Sequence, residues 1–166
     1  SDLYHERGKK ALLVKPDLDQ RDGEYILKSR IGLKHKSELM SNFIKYSNED
    51  IKKYDCIIVD ETQFATKEEI DFLSDIVDKL GIHVMCYGLR TDFMNELLEG
   101  SKRLIAIADE IHEVKTVCWC GSKATCSARY NENGIVRQGE QIELGANDKY
   151  VALCRKHYKE GNFGPE

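Results

Sequence analysis

The stretch CIIVDETQFATKEEIDFLSDIVDKLGIHVMCY, residues 56–87, decides the fold class of this chain. It begins and ends with continuous apolar runs, a pattern typical of strands that are buried on both faces of a parallel sheet. Between the two runs, Thr66 and Glu69 form a predicted capping box, and apolar residues then recur at helical spacing until Gly81. Strand, helix and strand at this length predict a right-handed βαβ unit, and therefore an α/β fold.

Weaker patterns lie on either side of this stretch. Another apolar run, at residues 11–14, predicts a further strand of the same sheet, whereas residues 17–36 are polar and poorly periodic and predict a surface loop. Residues 101–108 predict a short helix. From about residue 112 onward, short β-like pieces surround a cysteine pair, which indicates a second, smaller unit.

The composition excludes several classes of protein. A chain of 166 residues with 41% hydrophobic and 33% charged residues is expected to be soluble and globular, with no membrane partner because no apolar run approaches the roughly 18 residues of a membrane span. A net charge of −4 argues against a nucleic-acid partner. Six cysteines without an export signal imply a reducing compartment, so we expect a cytoplasmic protein.

The second unit carries a cluster of cysteines and a histidine. Cys118 and Cys120 flank one tryptophan, and Cys154 precedes His157 by three positions. Thiolate and imidazole donors match the tetrahedral preference of Zn²⁺, and a closed site with four such ligands is structural. Cys126 is an alternative ligand, because the first pair is Cys-x-Cys rather than the usual Cys-x₂-Cys. Buried free thiols, or a redox dithiol, are the remaining interpretations.

Two carboxylates follow the strand predicted at residues 56–59. Asp60 and Glu61 are expected at the C-terminal end of a parallel strand, where α/β sheets bind ligands. An aspartate there can hold a Mg²⁺ shell, and the neighbouring glutamate can accept a proton. A solvated strand end is the alternative, because the sequence contains no Gly-x₄-Gly-Lys-Ser/Thr motif. The residues alone thus predict an α/β domain with nucleotide-site chemistry and a zinc-bound lobe.

Longer motifs resemble those of the type II (cytosolic-type) thymidine kinases, from about Arg7 to Tyr158. These motifs are Val59-Asp-Glu-Thr-Gln-Phe64, Tyr87-Gly-Leu-Arg-Thr-Asp-Phe93, Gly100-Ser-Lys-Arg-Leu, Ala108-Asp-Glu-Ile, Lys115-Thr-Val-Cys-Trp-Cys-Gly121, Gly139-Glu-Gln-Ile-Glu-Leu-Gly145, and Asp148-Lys-Tyr150 through Cys154-Arg-Lys-His157. The Cys-x-Cys pair is similar to that of the bacterial branch of the family.

The resemblance implies a RecA-like P-loop core with a mostly parallel sheet, and a zinc-ribbon lobe whose lasso loop closes over the nucleoside. We therefore expect an α/β nucleotide-binding core at residues 1–111 and a zinc-binding lobe at residues 112–166. The implied reaction transfers the γ-phosphoryl group of ATP, with Mg²⁺, to the 5′-hydroxyl of thymidine, in pyrimidine deoxynucleotide salvage for DNA synthesis. The resemblance also implies a homotetramer that is inhibited by the end product dTTP.

The same resemblance implies roles for individual site residues. Glu61 matches the catalytic carboxylate, and Asp60 belongs to the Mg²⁺ shell. Asp19 and Arg21 match a polar pair near the phosphates; without the resemblance, Arg21 is an ordinary loop charge. The implied structural zinc ligands are Cys118, Cys120, Cys154 and His157.

The nucleoside site is assigned in the same way. The positions that enclose thymine are matched by Phe64, Leu89, Phe93, Leu98 and Tyr150, and Gln63 is a further substrate-binding residue. Ser127 matches a position beside the thymine methyl group. The lasso segment, whose backbone reads the pyrimidine edge, is matched by Gln141, Ile142 and Glu143. Arg129 matches a family arginine to which no role is assigned.

The family's phosphate-binding loop and first strand are expected ahead of Ser1, so we expect that the sequence begins inside the protein. A non-catalytic zinc-ribbon interaction module is the alternative function, and a dithiol redox protein is a third. Salt-dependent binding to single-stranded DNA without a response to dTTP would favour the interaction module. Cysteines that react with alkylating agents in the presence of zinc would favour the redox protein.

Overall fold

The structure is a computed structural model that describes residues 8–17, 37–141 and 149–165, together with the backbone of residues 26–27 and 35–36. Four predicted site residues lie outside the described residues: Asp19, Arg21, Ile142 and Glu143. Within the described part of the chain, no helix is long and apolar enough to cross a membrane.

The described residues form eleven strands, five α-helices and one short 3₁₀ turn. The strands are β1 (Ala11–Lys15), β2 (Ile26–Leu27), β3 (His35–Lys36), β4 (Glu38–Leu39), β5 (Cys56–Val59), β6 (His83–Cys86), β7 (Thr116–Val117), β8 (Lys123–Ala124), β9 (Cys126–Asn131), β10 (Gly134–Ile135) and β11 (Lys149–Leu153). The helices are α1 (Met40–Phe43), α2 (Asn48–Ile51), α3 (Lys67–Leu80), α4 (Glu99–Ile107) and α5 (Arg155–Glu160), and the 3₁₀ turn is Thr62–Phe64.

The chain divides into two compact units. The first comprises the residues up to Leu89 together with Glu99–Leu104, and the second comprises Arg90–Leu98 together with Ile105–Glu166. The segment 90–98 therefore belongs to the second unit, although it is flanked in sequence by residues of the first. The boundary between residues 111 and 112 stays a prediction.

The first unit is built on a parallel sheet with the strand order β4-β1-β5-β6. Ile57 lies opposite Leu12 on one side and opposite Val84 on the other. All four residues of β5 are buried, as the apolar run predicts, whereas β6 is only partly covered. The predicted α/β class with a parallel sheet is confirmed. Burial on both faces is wrong for β6, because it is the last strand of this sheet among the described residues.

Helix α3 forms where the capping box predicts it. The Thr66 hydroxyl accepts a hydrogen bond from the Glu69 amide at 3.1 Å, and the Glu69 carboxylate accepts one from the Thr66 amide at 2.9 Å. The helix ends at Gly81, whose φ of +68° is a left-handed conformation that glycine adopts readily. Because α3 joins the neighbouring parallel strands β5 and β6, the predicted βαβ unit is confirmed.

The region predicted as a loop at residues 17–36 contains a short antiparallel pair, in which Ile26 lies opposite Lys36 and Leu27 opposite His35. Two residues per strand are too few for a hydrophobic alternation to be recognised in the sequence. The predicted unbroken loop is therefore wrong at these four residues.

The second unit contains the antiparallel sheet β10-β9-β11 and the separate hairpin β7–β8. Its buried centre consists of Cys118, Cys126, Ala128, Leu153 and Tyr158. Helix α5 follows β11 directly, with Cys154 at its N-cap. The hairpin turn and the start of α5 therefore each carry residues of the predicted zinc cluster.

Candidate functional site

The two strand-end carboxylates lie at the C-terminal end of β5, in the first unit. Asp60 is buried, and its amide donates a hydrogen bond to the carbonyl of Val14 on the neighbouring strand β1. One oxygen of Asp60 accepts a hydrogen bond from the Glu61 amide at 2.8 Å. The sheet thus presents both side chains where parallel strands end, which is the usual place for ligands in an α/β fold.

Glu61 has a left-handed backbone conformation, with φ +54° and ψ +37°. Non-glycine residues seldom adopt it, and such residues concentrate in functional sites. The Gln63 side-chain amide donates to a Glu61 carboxylate oxygen at 2.6 Å and accepts from the Leu89 amide at 3.1 Å. Gln63 is almost completely buried, so it holds the Glu61 carboxylate from a fixed position.

Two glycines allow the turn after Glu61 to pack closely. A Cβ atom at Gly88 would lie 2.5 Å from the Gln63 side-chain oxygen and 2.8 Å from the Thr62 hydroxyl oxygen. A Cβ atom at Gly100 would overlap the Thr62 carbonyl oxygen. Thr62 itself is tied to the residue that follows β6, because its amide and hydroxyl both donate to the Tyr87 carbonyl. Side chains at either glycine would therefore displace the turn that carries the carboxylates.

Two further predicted substrate residues belong to this first unit. Phe64 ends the 3₁₀ turn and is half-buried. Leu89 is exposed, and its backbone accepts a hydrogen bond from the Ser101 hydroxyl in addition to the one that its amide donates to Gln63. The first unit thus brings Glu61, Gln63 and Leu89 into one hydrogen-bonded group.

The predicted zinc ligands in the second unit come together in one cluster. The ligand atoms of Cys118, Cys120, Cys154 and His157 all lie within 4.8 Å of one another. His157 Nδ1 is 3.6 Å from Cys118 Sγ and 3.4 Å from Cys154 Sγ, and the Cys120 and Cys154 sulphurs are 4.0 Å apart. The alternative ligand Cys126 is not in this group and packs in the buried centre of the unit.

These separations fit a tetrahedral metal site. Ligands at typical zinc distances of about 2.3 Å for sulphur and 2.0 Å for nitrogen are separated by about 3.8 Å (S to S) and 3.5 Å (S to N). The observed separations are close to these values. Burial of Cys118 opposes its ionisation, but hydrogen bonds from the Cys120 and Cys154 amides and from His157 lower the pKa of Cys118 to about 6. The cluster could therefore hold a metal ion such as zinc.

Trp119 covers this cluster from one side. Its ring stacks on the His157 imidazole with centroids 4.4 Å apart, and its indole N–H donates to the Asn162 carbonyl at 3.1 Å. The stacking restricts the orientation of the imidazole and so keeps Nδ1 directed at the thiols. No sequence pattern indicated this function for Trp119, because the contact depends on the fold of the hairpin and of α5.

The predicted base-site residues of the second unit differ in exposure. Phe93 and Leu98 are buried, Ser127 is half-buried and Tyr150 is about half exposed. Ser127 and Tyr150 lie on the neighbouring antiparallel strands β9 and β11. The Tyr158 hydroxyl donates to the Phe93 carbonyl at 2.8 Å, which ties Phe93 to the helix that carries His157.

The burial and the partners of Arg129 were not predictable from the sequence. Its side chain is only 2% exposed, and its guanidinium carbon lies 3.8 Å from the Phe93 ring centroid. Its Nε donates to the Tyr150 hydroxyl at 3.0 Å, and Nη1 donates to the Glu140 carbonyl at 3.2 Å. The only sequence signal was the match to a family arginine.

Gln141, the one lasso residue within the described ranges, is held by the segment 90–98. Its side-chain amide donates to Asp92 at 2.9 Å and to the Leu97 carbonyl at 3.3 Å. Asp92 is buried and also accepts hydrogen bonds from the Met94 and Glu96 amides. Asp92 is thus a second residue that sequence reasoning missed, since a single aspartate in a turn carries no distinguishing pattern.

The family model that describes thymidine kinases matches residues 1–158. The chain belongs to the thymidine kinase family. The match includes the strand-end carboxylates, the segment 90–98 and all four residues of the metal cluster. Membership in a kinase family makes this chain a phosphotransferase, and it argues against a non-catalytic interaction module and a redox dithiol.

Individual relatives of this chain are bacterial thymidine kinases, as the predicted bacterial branch of the family implies. The chain is 46% identical to the thymidine kinase of Haemophilus influenzae over 163 residues, which cover 95% of this chain and 84% of that protein. It is 45% identical to the thymidine kinases of Vibrio vulnificus and Pasteurella multocida, each over 163 residues that cover 95% of this chain and 85% of the relative.

Proposed function

We propose that this chain transfers the γ-phosphoryl group of ATP to the 5′-hydroxyl of thymidine, which yields dTMP. The observation that carries the proposal is the family match over residues 1–158, which includes Glu61 at the end of a buried parallel strand. Phosphoryl transfer needs mainly positioning and charge stabilisation, together with a group that orients the nucleophile. A carboxylate held at a strand end meets the last requirement.

Glu61 is the proposed catalytic base. Its carboxylate accepts a hydrogen bond from Gln63, whose other end is fixed by the Leu89 amide. A carboxylate with a fixed orientation can accept the proton of the 5′-hydroxyl as the bond to phosphorus forms. Gln63 then acts as a positioning residue, because its hydrogen bond to one carboxylate oxygen of Glu61 fixes the orientation of the whole carboxylate.

Asp60 is the proposed protein ligand in the shell of the Mg²⁺ that accompanies ATP, and Asp19 and Arg21 are the proposed phosphate-side pair. Carboxylate oxygen is the donor that Mg²⁺ prefers, so Asp60 fits the ion. The ion would supply charge neutralisation between the β- and γ-phosphates. An always-charged guanidinium at Arg21 suits the same task.

The thymine base is proposed to contact apolar and aromatic side chains. These residues are Phe64, Leu89, Phe93, Leu98 and Tyr150, with Ser127 beside the methyl group. Aromatic faces stack on a flat ring, and apolar walls accept its methyl group. The backbone of Gln141, Ile142 and Glu143 is proposed to read the pyrimidine edge, because amide and carbonyl groups are fixed donors and acceptors.

Zinc is the proposed occupant of the cysteine and histidine cluster, with a structural role. A closed set of four protein ligands leaves no position for a substrate, so such a site stabilises its surroundings. The ligands would join the β7–β8 hairpin to α5, two elements that are far apart in sequence.

The assembly, regulation and location of the protein are proposed from the family resemblance. A homotetramer is supported by exposed apolar side chains of the second unit, which include Ile105, Ile111, Val114 and Val117. Inhibition by dTTP is proposed because the end product shares the base and sugar of the substrate. The cytoplasm is the proposed location, because the cysteine cluster requires reduced thiols.

Glu61→Gln is the substitution that tests the proposed reaction. It keeps the size of the side chain and one oxygen that can accept from Gln63, but it removes the negative charge and the proton acceptor. We expect kcat for thymidine phosphorylation by the intact protein to fall by about 10² to 10⁴, with a KM for thymidine within about threefold of the wild type. The measurement is dTMP formation with ATP and Mg²⁺.

Glu68→Gln is the matched control, because Glu68 is an exposed carboxylate at the start of α3. It should leave kcat unchanged. Wild-type protein that makes no dTMP, or Glu61→Gln protein that is as active as Glu68→Gln protein, would contradict the proposal.

A further inference from the structure

Arg129 is a charged side chain buried within the second unit, and it is the largest fully buried side chain among the residues that the structure describes. Burying a guanidinium is costly unless its charge and its N–H groups find partners. The groups that contact the buried guanidinium compensate this cost, and they therefore indicate the role of Arg129.

Within the described ranges, Arg129 contacts groups from three separate parts of the second unit. Phe93 lies in the segment 90–98 and faces the guanidinium at 3.8 Å. Tyr150 lies on β11, directly opposite Arg129 on β9, and accepts the hydrogen bond from Nε. The Glu140 carbonyl accepts the hydrogen bond from Nη1 at 3.2 Å, one residue before Gln141. A single planar group thus joins two aromatic side chains and the backbone beside Gln141.

The chemistry of the guanidinium suits this combination. Its flat face can stack on one ring while its N–H groups point in the plane toward two oxygen acceptors. A lysine ammonium cannot make these contacts together, because it has no planar face and no spaced donors. The contacts therefore require arginine rather than positive charge alone.

Another arginine of the same unit, Arg137, also has its guanidinium carbon over an aromatic ring, 4.6 Å from the Tyr158 ring centroid. Arg137 donates to the carbonyls of Tyr158 and Lys159 at the end of α5. Those bonds stabilise a helix terminus. Arg129, in contrast, contacts two of the side chains that are assigned to the thymine base.

We propose that Arg129 is a positioning residue for nucleoside binding, which holds Phe93, Tyr150 and the backbone at Glu140 in one arrangement before the nucleoside binds. The proposal rests on the proposed function, because Phe93 and Tyr150 are assigned to the base there. Groups held in their bound arrangement lose less conformational entropy on binding, so the affinity is higher. Arg129 then acts on affinity for the nucleoside and not on phosphoryl transfer.

Three variants separate positioning from a general structural role. Arg129→Met keeps much of the volume but removes the charge and the donors, and Arg129→Lys keeps the charge without the planar group. Tyr150→Phe keeps the ring and removes the acceptor of the Nε bond. We expect Arg129→Met to weaken thymidine binding about tenfold, and the other two to weaken it about three- to fivefold.

The measurements are calorimetric thymidine binding, which does not depend on turnover, and the steady-state constants of the intact protein. In the Arg129 variants the KM for thymidine should rise as the affinity falls, while kcat stays within about threefold and the KM for ATP within about twofold. Arg103→Met is the matched control, because Arg103 is a partly exposed arginine of the first unit that pairs with Asp71. It should leave thymidine affinity unchanged.

The outcomes distinguish this inference from the proposed function. Wild-type protein that binds thymidine without making dTMP contradicts the reaction, while the binding comparison still decides the role of Arg129. Unchanged thymidine affinity in both Arg129 variants overturns the inference, even if their melting temperatures fall. Should Arg129→Met not fold, unchanged affinity in Tyr150→Phe and Arg129→Lys overturns it equally. Wild-type protein that does not bind thymidine overturns both proposals.

Discussion

At the scale of single residues, the turn that carries the proposed catalytic residue Glu61 is defined by a backbone conformation that most side chains avoid. Glu61 is left-handed, which costs about 1 kcal/mol or more for a residue with a Cβ atom. The surroundings impose this conformation, because Thr62 is bonded to Tyr87 and Gln63 is bonded to both Glu61 and Leu89. The strained residue is therefore the one to which catalysis is assigned.

Gly100→Ala is expected to destabilise the protein, although alanine is the better helix former. Within a helix this change usually stabilises by about 0.5 to 1 kcal/mol. Here the added methyl group would overlap the Thr62 carbonyl oxygen and lie 2.9 Å from the Ala65 carbonyl oxygen, and backbone atoms cannot rotate away. We expect the free energy of unfolding in urea to fall by about 2 kcal/mol and kcat to fall about tenfold.

Lys102→Ala, at an exposed position of the same helix, is the control and should change the free energy of unfolding by less than about 0.5 kcal/mol. A Gly100→Ala protein that is more stable than the wild type would show that the turn can move away from α4.

At the scale of elements, the cysteine and histidine cluster of the second unit forms a junction between the β7–β8 hairpin and the short helix α5. The β7–β8 turn carries Cys118 and Cys120, and α5 begins at Cys154. Neither element is long enough to be stable by itself. Because Tyr158 follows His157 on α5 and donates to the Phe93 carbonyl, a metal ion at the junction would also support Phe93.

Cys120→Ser is expected to abolish stoichiometric zinc binding, whereas Cys126→Ala should retain one zinc ion per chain. Cys120 belongs to the cluster, and Cys126 packs in the buried centre. Metal analysis of protein that has never met a chelator is the measurement. Trp119 is the single tryptophan and stacks on His157, so its fluorescence should change in Cys120→Ser protein and in chelator-treated wild type.

The reverse pattern, with zinc lost from Cys126→Ala and kept by Cys120→Ser, would assign the fourth ligand to Cys126. Loss of zinc should also weaken thymidine binding, because the metal ion would stabilise the helix that holds Phe93.

At the scale of the whole molecule, the proposed binding of dTTP can be tested through its effect on the stability of the folded protein. A ligand that binds only the folded state stabilises it by about 2.7 kcal/mol when present at 100 times its Kd. For a chain of 166 residues this corresponds to a rise in Tm of about 5 °C or more. The effect does not require turnover, so it tests dTTP binding separately from catalysis.

We expect dTTP to raise the Tm of the intact protein by this amount at saturation and to inhibit thymidine phosphorylation in the same concentration range. Inorganic triphosphate is the control, because it carries the phosphates without the base and sugar. Equal rises in Tm with dTTP and with triphosphate would show that the base and sugar contribute nothing to binding. No rise in Tm with dTTP would contradict end-product binding.

Local patterns were sufficient for the βαβ unit, and they indicated the cysteine and histidine cluster while leaving Cys126 as an alternative ligand. The capping box at Thr66 and Glu69 acts between residues three apart, and hydrophobic runs report burial within single elements, so both are readable along the chain. The cluster was predictable because few residue types make good zinc ligands and because two cysteine-containing pairs stood out. The same local signals could not show that β6 is only partly covered, since burial depends on neighbouring strands.

The α/β class, the strand-end carboxylates and the residue types of the cysteine and histidine cluster could therefore be predicted, because each depends on near neighbours or on side-chain chemistry. The place of residues 90–98 in the second unit and the burial of Arg129 against Phe93 and Tyr150 are visible only in the folded chain. Phe93 and Tyr150 are 36 and 21 positions away from Arg129 in sequence. No spacing along the chain encodes such contacts, since they form only when separate strands and loops pack together.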